Sequence, residues 1–424
     1  MGATYDSSES DTRAGCLEGT RKSQLKSIMD WALGPSPQTT PIIWLKGAAG
    51  AGKTSIARTI AQLCASNHRL AASFFFKSSD PLRSKVDSVI PTLALQIAAA
   101  SPTWKRVIEE SLAHDPLLLE DKNKAKQFST LIHRPLHMTH SEGHMTPLVI
   151  VVDALDECDD YVRLHALLRA MTNSLVQQPS PIRLLLTSRP ERPIISFFRG
   201  VSSPIYEEIE LKPDEEANED ILRYLHHEFS RIRIIHEDIL HGIGEWPLPD
   251  DISWIARKAS GHFIYAATII RFIDDDWENP ADALDYIRGR LPSSNHNLRP
   301  LYELDDLYLA ILRRAEARGN RTNLLQFLVL YSSRGSSLRY HDDLSERDVI
   351  ARALNVTREG VILLHRNLRS LIGPVGKPFD RIVGFLHLSF DDFLLDPRRA
   401  QEFFIGEKAY ALDFGHSFWC ASFL

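Results

Sequence analysis

At 424 residues, 44% hydrophobic and 25% charged, the chain is too long for one compact domain and has the balance of a globular protein, so two or three domains of about 100 to 200 residues each are expected. A net charge of −6 gives no broad basic field, which argues against nucleic-acid binding driven by phosphate neutralisation. Cys16, Cys64, Cys158 and Cys420 form no C-x-x-C pair, no signal-peptide pattern is present, and no apolar run approaches the about 18 residues of a membrane helix; a soluble, cytoplasmic protein without a disulfide or zinc-ribbon framework is expected.

Residues 1–15 are polar and read as disordered. In LEGTRKSQLKSIMDWAL the apolar positions Leu25, Ile28, Met29 and Leu33 recur at helical spacing, and GPSPQTTP is a connector. IIWLKGAAGAGKTSI follows, a buried strand over 41–46 and then Gly47, Gly50, Gly52, Lys53 and Thr54 at the spacing G-x-x-x-x-G-K-[ST], with a helix over about 53–66. Such a loop leaves backbone N–H groups free to face a triphosphate, Ala51 and Ser55 included, while the helix N-terminus adds positive potential. Lys53 reaches the β- and γ-phosphates, and the Thr54 hydroxyl can hold Mg²⁺.

A second strand is expected over 70–76, then helices near 86–100, 104–113 and 124–136. PLVIVVDALDECDD reads as a fully buried parallel strand, 148–152, whose end delivers Asp153 to the site as a second Mg²⁺ ligand, direct or through water. Asp156 or Glu157 could polarise the attacking water. After a helix over 161–173 comes IRLLLTSRPE, a buried strand over 182–187 that ends at Ser188 and Arg189, and a last strand over 205–211. Arg189 has two readings, a γ-phosphate sensor or the partner of an acidic loop residue.

From residue 213 the apolar positions recur every three or four residues, so this half is helical. LSERDVIARALNVTREGVILLHRNLRSLI has the cadence of a winged-helix module, with RIVGFLHLSFDDFLL supplying its strand and next helix. Its second helix carries only scattered basic residues, which favours packing within the chain over DNA binding. His133, His137, His140 and His144 suggest a metal cluster by count, but Pro135, Gly143 and Pro147 break a shared helical face, and a polar surface loop is expected. The apolar end LDFGHSFWCASFL reads as a truncated terminus.

CLEGTR, DW at Asp30 and Trp31, WLKGAAGAGKTSIARTIA, VIVVDALDEC, LLLTSRPE, GHFIYAATIIRFI and FLHLSFDDFL, in this order over about 14–400, resemble the fungal NACHT-type NTPases of the signal-transduction ATPase (STAND) class. That class is related to the nephrocystin-3-like N-terminal module and to NOD-like receptors. The resemblance implies a nucleotide switch, closed with ADP and open and self-associating with ATP. On that pattern Thr20 and Arg21 lie near the adenine, Asp153, Asp156 and Glu157 form an extended Walker B element, and Arg189 is the sensor-one residue. Gly261 falls near the base, and His387 matches a winged-helix histidine that touches the β-phosphate of ADP. The N-terminal effector domain and C-terminal repeats usual in that class have no counterpart in this sequence.

The expected architecture is α/β, a three-layer P-loop NTPase domain with a mainly parallel sheet, followed by an all-helical domain and a winged-helix-like domain. Its expected boundaries are 1–15 for a disordered N-terminus, 16–212, 213–300, 301–400, and 401–424 for a tail. The expected function is a switch that binds ATP or ADP with Mg²⁺, hydrolyses ATP weakly and controls self-association, or association with full-length relatives. Its setting would be intracellular signalling of the innate-immunity or heterokaryon-incompatibility kind. Two other readings stand beside it: a turnover P-loop ATPase or kinase, and a truncated scaffold or decoy of full-length relatives.

Overall fold

The computed structural model describes residues 3–5, 15–34, 40–78, 80, 82–120, 123–138, 147–177, 180–201, 205–275, 278–291, 301–332, 346–373 and 384–406. The expectations for residues 6–14, for His140, Gly143 and His144, for the strand residues 381–383 and for the tail beyond 406 lie outside them. The chain divides into two compact units, Met1–Lys212 and Pro213–Leu424.

In the first unit α1 (Lys22–Leu33) leads to β1 (Ile42–Gly47), α2 (Lys53–Ser66) and β2 (Leu70–Phe75). A 3₁₀ turn (Val86–Ser88) opens α3 (Val89–Ala100), where one continuous helix was expected, and α4 (Pro102–His114) follows. The helix expected over 124–136 is split into α5 (Lys124–Phe128), a π-helical turn (Ser129–His133) and α6 (Arg134–Met138). Pro135 cannot donate a helical hydrogen bond, and the chain widens into the π turn just before it. His133 is therefore a buried helical residue and not part of a surface loop; its ring stacks on His137 at 5.7 Å. Among the described residues no group of three His, Cys, Asp or Glu side chains could hold a metal ion. The unit continues with β3 (Leu148–Asp153), α7 (Tyr161–Gln177), β4 (Ile182–Ser188), α8 (Arg192–Arg199) and β5 (Tyr206–Leu211).

The five strands pair in parallel in the order β2-β3-β4-β1-β5, so β4 stands between the loop-bearing strand β1 and β3. β3 and β4 are buried throughout and β1 nearly so, which is why they read as unbroken apolar runs rather than alternating ones. Alternate side chains still separate into two layers. Ile43, Leu45, Val149, Val151 and Leu185 pack with Ile28 of α1 and Ile56 and Ile60 of α2. Trp44, Ile150, Val152, Leu184 and Leu186 pack on the other face with Ile90 and Leu93 of α3, Leu164 and Leu168 of α7 and Phe198 of α8. Trp44 stacks on Phe198 with ring centroids 4.3 Å apart, a contact worth about 1 kcal/mol beyond its buried area.

The sheet edges are closed by chemistry. β5 presents Glu207, Glu208 and Glu210, and charge discourages pairing with a foreign strand. On β2 the side-chain amide of Gln96 exchanges both hydrogen bonds with the Ser73 backbone (3.0 and 2.8 Å), and Phe75 N–H donates to the Ala3 carbonyl at 2.9 Å.

The second unit is helical: α9 (Glu215–Ile235), α10 (Glu237–Leu240), α11 (Pro249–Ala259), α12 (Phe263–Ile273), α13 (Pro280–Arg290), α14 (Tyr302–Ala317), α15 (Arg321–Tyr331), α16 (Glu346–Ala353), α17 (Arg358–Asn367), α18 (Leu388–Leu394) and α19 (Pro397–Ala400). Side chains of Asp214, Asn279, Asn320 and Thr357 cap the first turns of α9, α13, α15 and α17, which explains where those helices begin. One apolar cluster runs from Ile221 through Phe229, Tyr308, Phe327 and Phe390 to Ile405. The strand expected near Phe385 is reduced, among the described residues, to a single antiparallel bridge between Ile372 and Phe385. No helix of the described residues is long and apolar enough to cross a membrane.

Candidate functional site

Parallel strands deliver their C-terminal ends to one side of the sheet, and there the loop after β1 meets the ends of β3 and β4. Gly47 closes β1 against Leu211. Gly50 and Gly52 have φ of 73° and 93°, a left-handed region that glycine enters without steric cost, and Gly52 is the N-cap of α2. The first helical bond of α2 is Ile56 N–H to Gly52 carbonyl at 3.1 Å, so the N–H groups of Lys53, Thr54 and Ser55 precede the helical ladder and no side chain caps them. No acidic residue stands in that first turn. The loop therefore offers N–H donors and positive helix potential, as an anion requires.

Lys53 Nζ donates to the carbonyls of Gly47 (2.8 Å) and Ala48 (2.9 Å). Burial lowers its pKa below 10.5, with Asp156, Asp153 and Glu157 opposing that shift. Asp153, 2% exposed at the end of β3, accepts a hydrogen bond from Thr187 at 2.5 Å and a second from Thr54. Burial raises the Asp153 pKa above the ordinary carboxylate value, and these two hydroxyl bonds work against that rise. Thr54 and Asp153 thus form an oxygen-only pair beside the loop, the donor chemistry that suits Mg²⁺.

Beyond β3 the chain turns through Ala154 at φ 61° into a 3₁₀ turn (Leu155–Glu157). Asp156 accepts from the Arg189 backbone N–H at 2.9 Å, and its other oxygen lies 3.3 Å from Arg189 Nε. Of the two readings open for Arg189, the pair with an acidic loop residue is the one present here. Glu157 accepts from the backbone N–H of Ser78 (3.0 Å) and faces its hydroxyl (3.4 Å), just after β2. Asp156 is thus held by Arg189, and Glu157 by Ser78 just after the neighbouring strand.

The remaining expected residues fall as follows. Thr20 donates to the Leu17 carbonyl at 2.7 Å, and Arg21 donates to the Ala51 carbonyl at 2.9 Å, so both sit beside the loop. Gly261 and His387 lie in the second unit. Gly261, at φ 79°, forms the turn between α11 and α12, and a Cβ there would stand 2.5 Å from Pro213 Cα. His387 caps α18: its Nδ1 accepts from Ser389 N–H at 3.1 Å and faces Ser389 Oγ at 2.6 Å, while Tyr308 and Ser389 hydroxyls meet at 2.9 Å.

Sequence reasoning missed Thr187 and Ser78. Thr187 lies inside an apolar run, and its hydroxyl also accepts the Ala154 N–H at 2.9 Å, fixing the turn that presents Asp156 and Glu157. Its one signal was a hydroxyl among β-formers two residues before Arg189. Ser78 had no signal, because its partner is on another strand connection.

The sheet order and the loop define a P-loop NTPase fold of three layers. Residues 19–189, less than half of the chain, match the family model described as Nephrocystin 3, N-terminal. Among solved structures the chain is similar to a STAND protein with a tetratricopeptide repeat sensor from Pyrococcus horikoshii (TM-score 0.45, 14% identity, 97% of this chain and 47% of that one). It is also similar to C. elegans PCH-2 (0.32, 14%, 63% and 68%) and to Aeropyrum pernix ORC1 in complex with DNA (0.36, 14%, 82% and 82%). The chain spans about half the length of the STAND structure. Identities this low concern the fold alone. None of the curated proteins compared matches the chain.

Proposed function

We propose that this chain binds ATP and ADP at the loop after β1, hydrolyses ATP slowly, and serves as a STAND-type switch whose nucleotide state governs self-association. The observation that carries the binding is the convergence of Lys53, the uncapped first turn of α2 and the Thr54–Asp153 pair at one end of the sheet. The loop N–H groups and Lys53 hold the phosphates, Lys53 by leaving the Gly47 and Ala48 carbonyls for phosphate oxygens. Thr54 and Asp153 would hold Mg²⁺, which when bound neutralises phosphate charge. Glu157 orients and deprotonates the attacking water. Arg189 reads the γ-phosphate by exchanging its Asp156 partner for a phosphate oxygen, so a triphosphate favours one arrangement of the β4 end and a diphosphate the other.

The switch reading draws further on the resemblance in CLEGTR, DALDEC and HLSF and on the family match over residues 19–189. Under it residues 301–400 are winged-helix-like, and His387 is the residue of the second unit whose role is tested by His387→Ala. The purified chain is expected to carry or take up ADP or ATP, and Lys53→Ala to weaken that binding about a hundredfold. Its size with ADP is expected to differ from its size with a non-hydrolysable ATP analogue. Absence of nucleotide binding in the wild type sinks the binding reading; equal size in both nucleotides sinks the switch.

A further inference from the structure

Arg21 is a cation with 3% of its surface exposed, placed before α1 and not on the loop itself. Its Nη2 donates to the carbonyl of Ala51 at 2.9 Å, a loop residue 30 positions away in sequence. That carbonyl belongs to the Ala51–Gly52 peptide. A trans peptide sets its C=O and N–H on opposite sides, so holding the Ala51 carbonyl turns the Gly52 N–H to the far side of the loop. Glycine gives such an anchor something to do. Gly52 sits at φ 93° and has no Cβ, so no side chain of its own restricts the orientation of the preceding peptide.

The arginine is itself held in place. Its backbone is left-handed at φ 52°, an unfavourable region for a residue with a side chain, and its carbonyl accepts from Leu25 N–H at 2.9 Å to start α1. Upstream, Cys16 N–H donates to Thr59 Oγ1 of α2 at 2.8 Å, and a Cβ on Gly15 would come within 2.6 Å of that oxygen. On the other side Ile28 and Trp31 of α1 share an apolar cluster with Ile56 and Ile60 of α2. The segment from Gly15 to α1 is thus fastened to the loop helix at both ends, with Arg21 between the fastenings.

We infer that Arg21 is a positioning residue for phosphate binding: it fixes the Ala51–Gly52 peptide so that the Gly52 N–H faces the anion, acting through the loop rather than on the base. This rests on the nucleotide reading above. It separates Arg21 from a base-reading role, because an anchor of the loop matters for any phosphate chain whether or not a base is attached.

The test uses the full chain and three probes in titration calorimetry: inorganic tripolyphosphate, which has no base, ADP and GDP. Arg21→Met, similar in length and uncharged, is expected to weaken tripolyphosphate and ADP by the same factor of about ten, with the ADP to GDP ratio unchanged. Arg21→Lys, which can still donate to Ala51 but without a planar fork, is expected to lose only about threefold for both. The inference is overturned if tripolyphosphate binding stays at the wild-type level, or if ADP binding falls alone and the ADP to GDP ratio changes. Should Arg21→Met fail to fold, Arg21→Lys decides by the same ratio: a shared loss supports the anchor, and no loss or one confined to ADP overturns it. A wild type that binds neither tripolyphosphate nor ADP fails the nucleotide reading instead, and is recognised before any variant is made.

Discussion

In the first unit four charged groups from different connections meet at one end of the sheet, whereas in the second the buried ion pairs are spread over separate contacts. Lys53, Asp153, Asp156 and Arg189 come from the ends of three adjacent strand connections and interact with one another. In the second unit Lys258 of α11 pairs with Glu303 of α14 at 2.9 Å, Arg399 of α19 with Asp305 of α14 at 2.8 Å, and Arg369, just after α17, with Asp275, just after α12, at 3.3 Å. The first arrangement leaves several charged groups sharing one space, where a phosphate can replace internal partners. The second spreads its ion pairs over separate contacts, with carboxylates such as Asp274 and Glu278 each shared by two basic side chains. Burial of charge alone therefore does not mark a site; convergence of donors and acceptors on one open loop does.

The comparison can be broken most directly at Glu157. Glu157→Gln keeps the shape and the Ser78 contact and removes the base, so ATP hydrolysis is expected to fall about a thousandfold while nucleotide affinity holds. A hydrolysis rate unchanged in a single-turnover assay would remove Glu157 from the chemistry.

Asp305→Ala probes the other kind of charge. It strips Arg399 of a carboxylate that accepts from both Nε and Nη2, and is expected to lower unfolding stability by about 2 kcal/mol. Denaturant titration reads the loss, and ADP affinity is expected to stay at its wild-type value. Loss of affinity in proportion to stability would erase the distinction drawn between the two units.

The smallest effect is that of pH. Phosphate binding needs the charged form of Lys53, and burial lowers its pKa, so the charge is lost at a lower pH than in an ordinary lysine. ADP affinity is expected to decline by a few fold as pH rises toward the ordinary lysine value of 10.5, and Lys53→Arg to flatten that decline, since arginine keeps its charge there. A wild-type profile flat over that window would mean that binding does not depend on Lys53.

Much of the first unit was legible in the sequence because its signals are local. The helix over 53–66 follows a glycine N-cap, and β3 and β4 are apolar runs ended by Asp153 and Ser188, so their boundaries sit where composition changes. The π turn at Ser129–His133 was not legible, since helical periodicity continues through it. His133 was misread for a related reason: its burial depends on what the helix packs against.

Sequence by itself determined the loop, its lysine and threonine, and the acidic turn after β3, because each is a short run whose backbone chemistry is set by its own residues. Only the tertiary structure decided which partners those groups take. Asp153 with Thr187, Glu157 with Ser78, Asp156 with Arg189 and Ala51 with Arg21 are pairs that strand order and helix packing bring together across 30 to 79 residues. Hydrogen bonding acts over about 3 Å of space and carries no memory of distance along the chain, so such pairs leave no periodic trace in sequence.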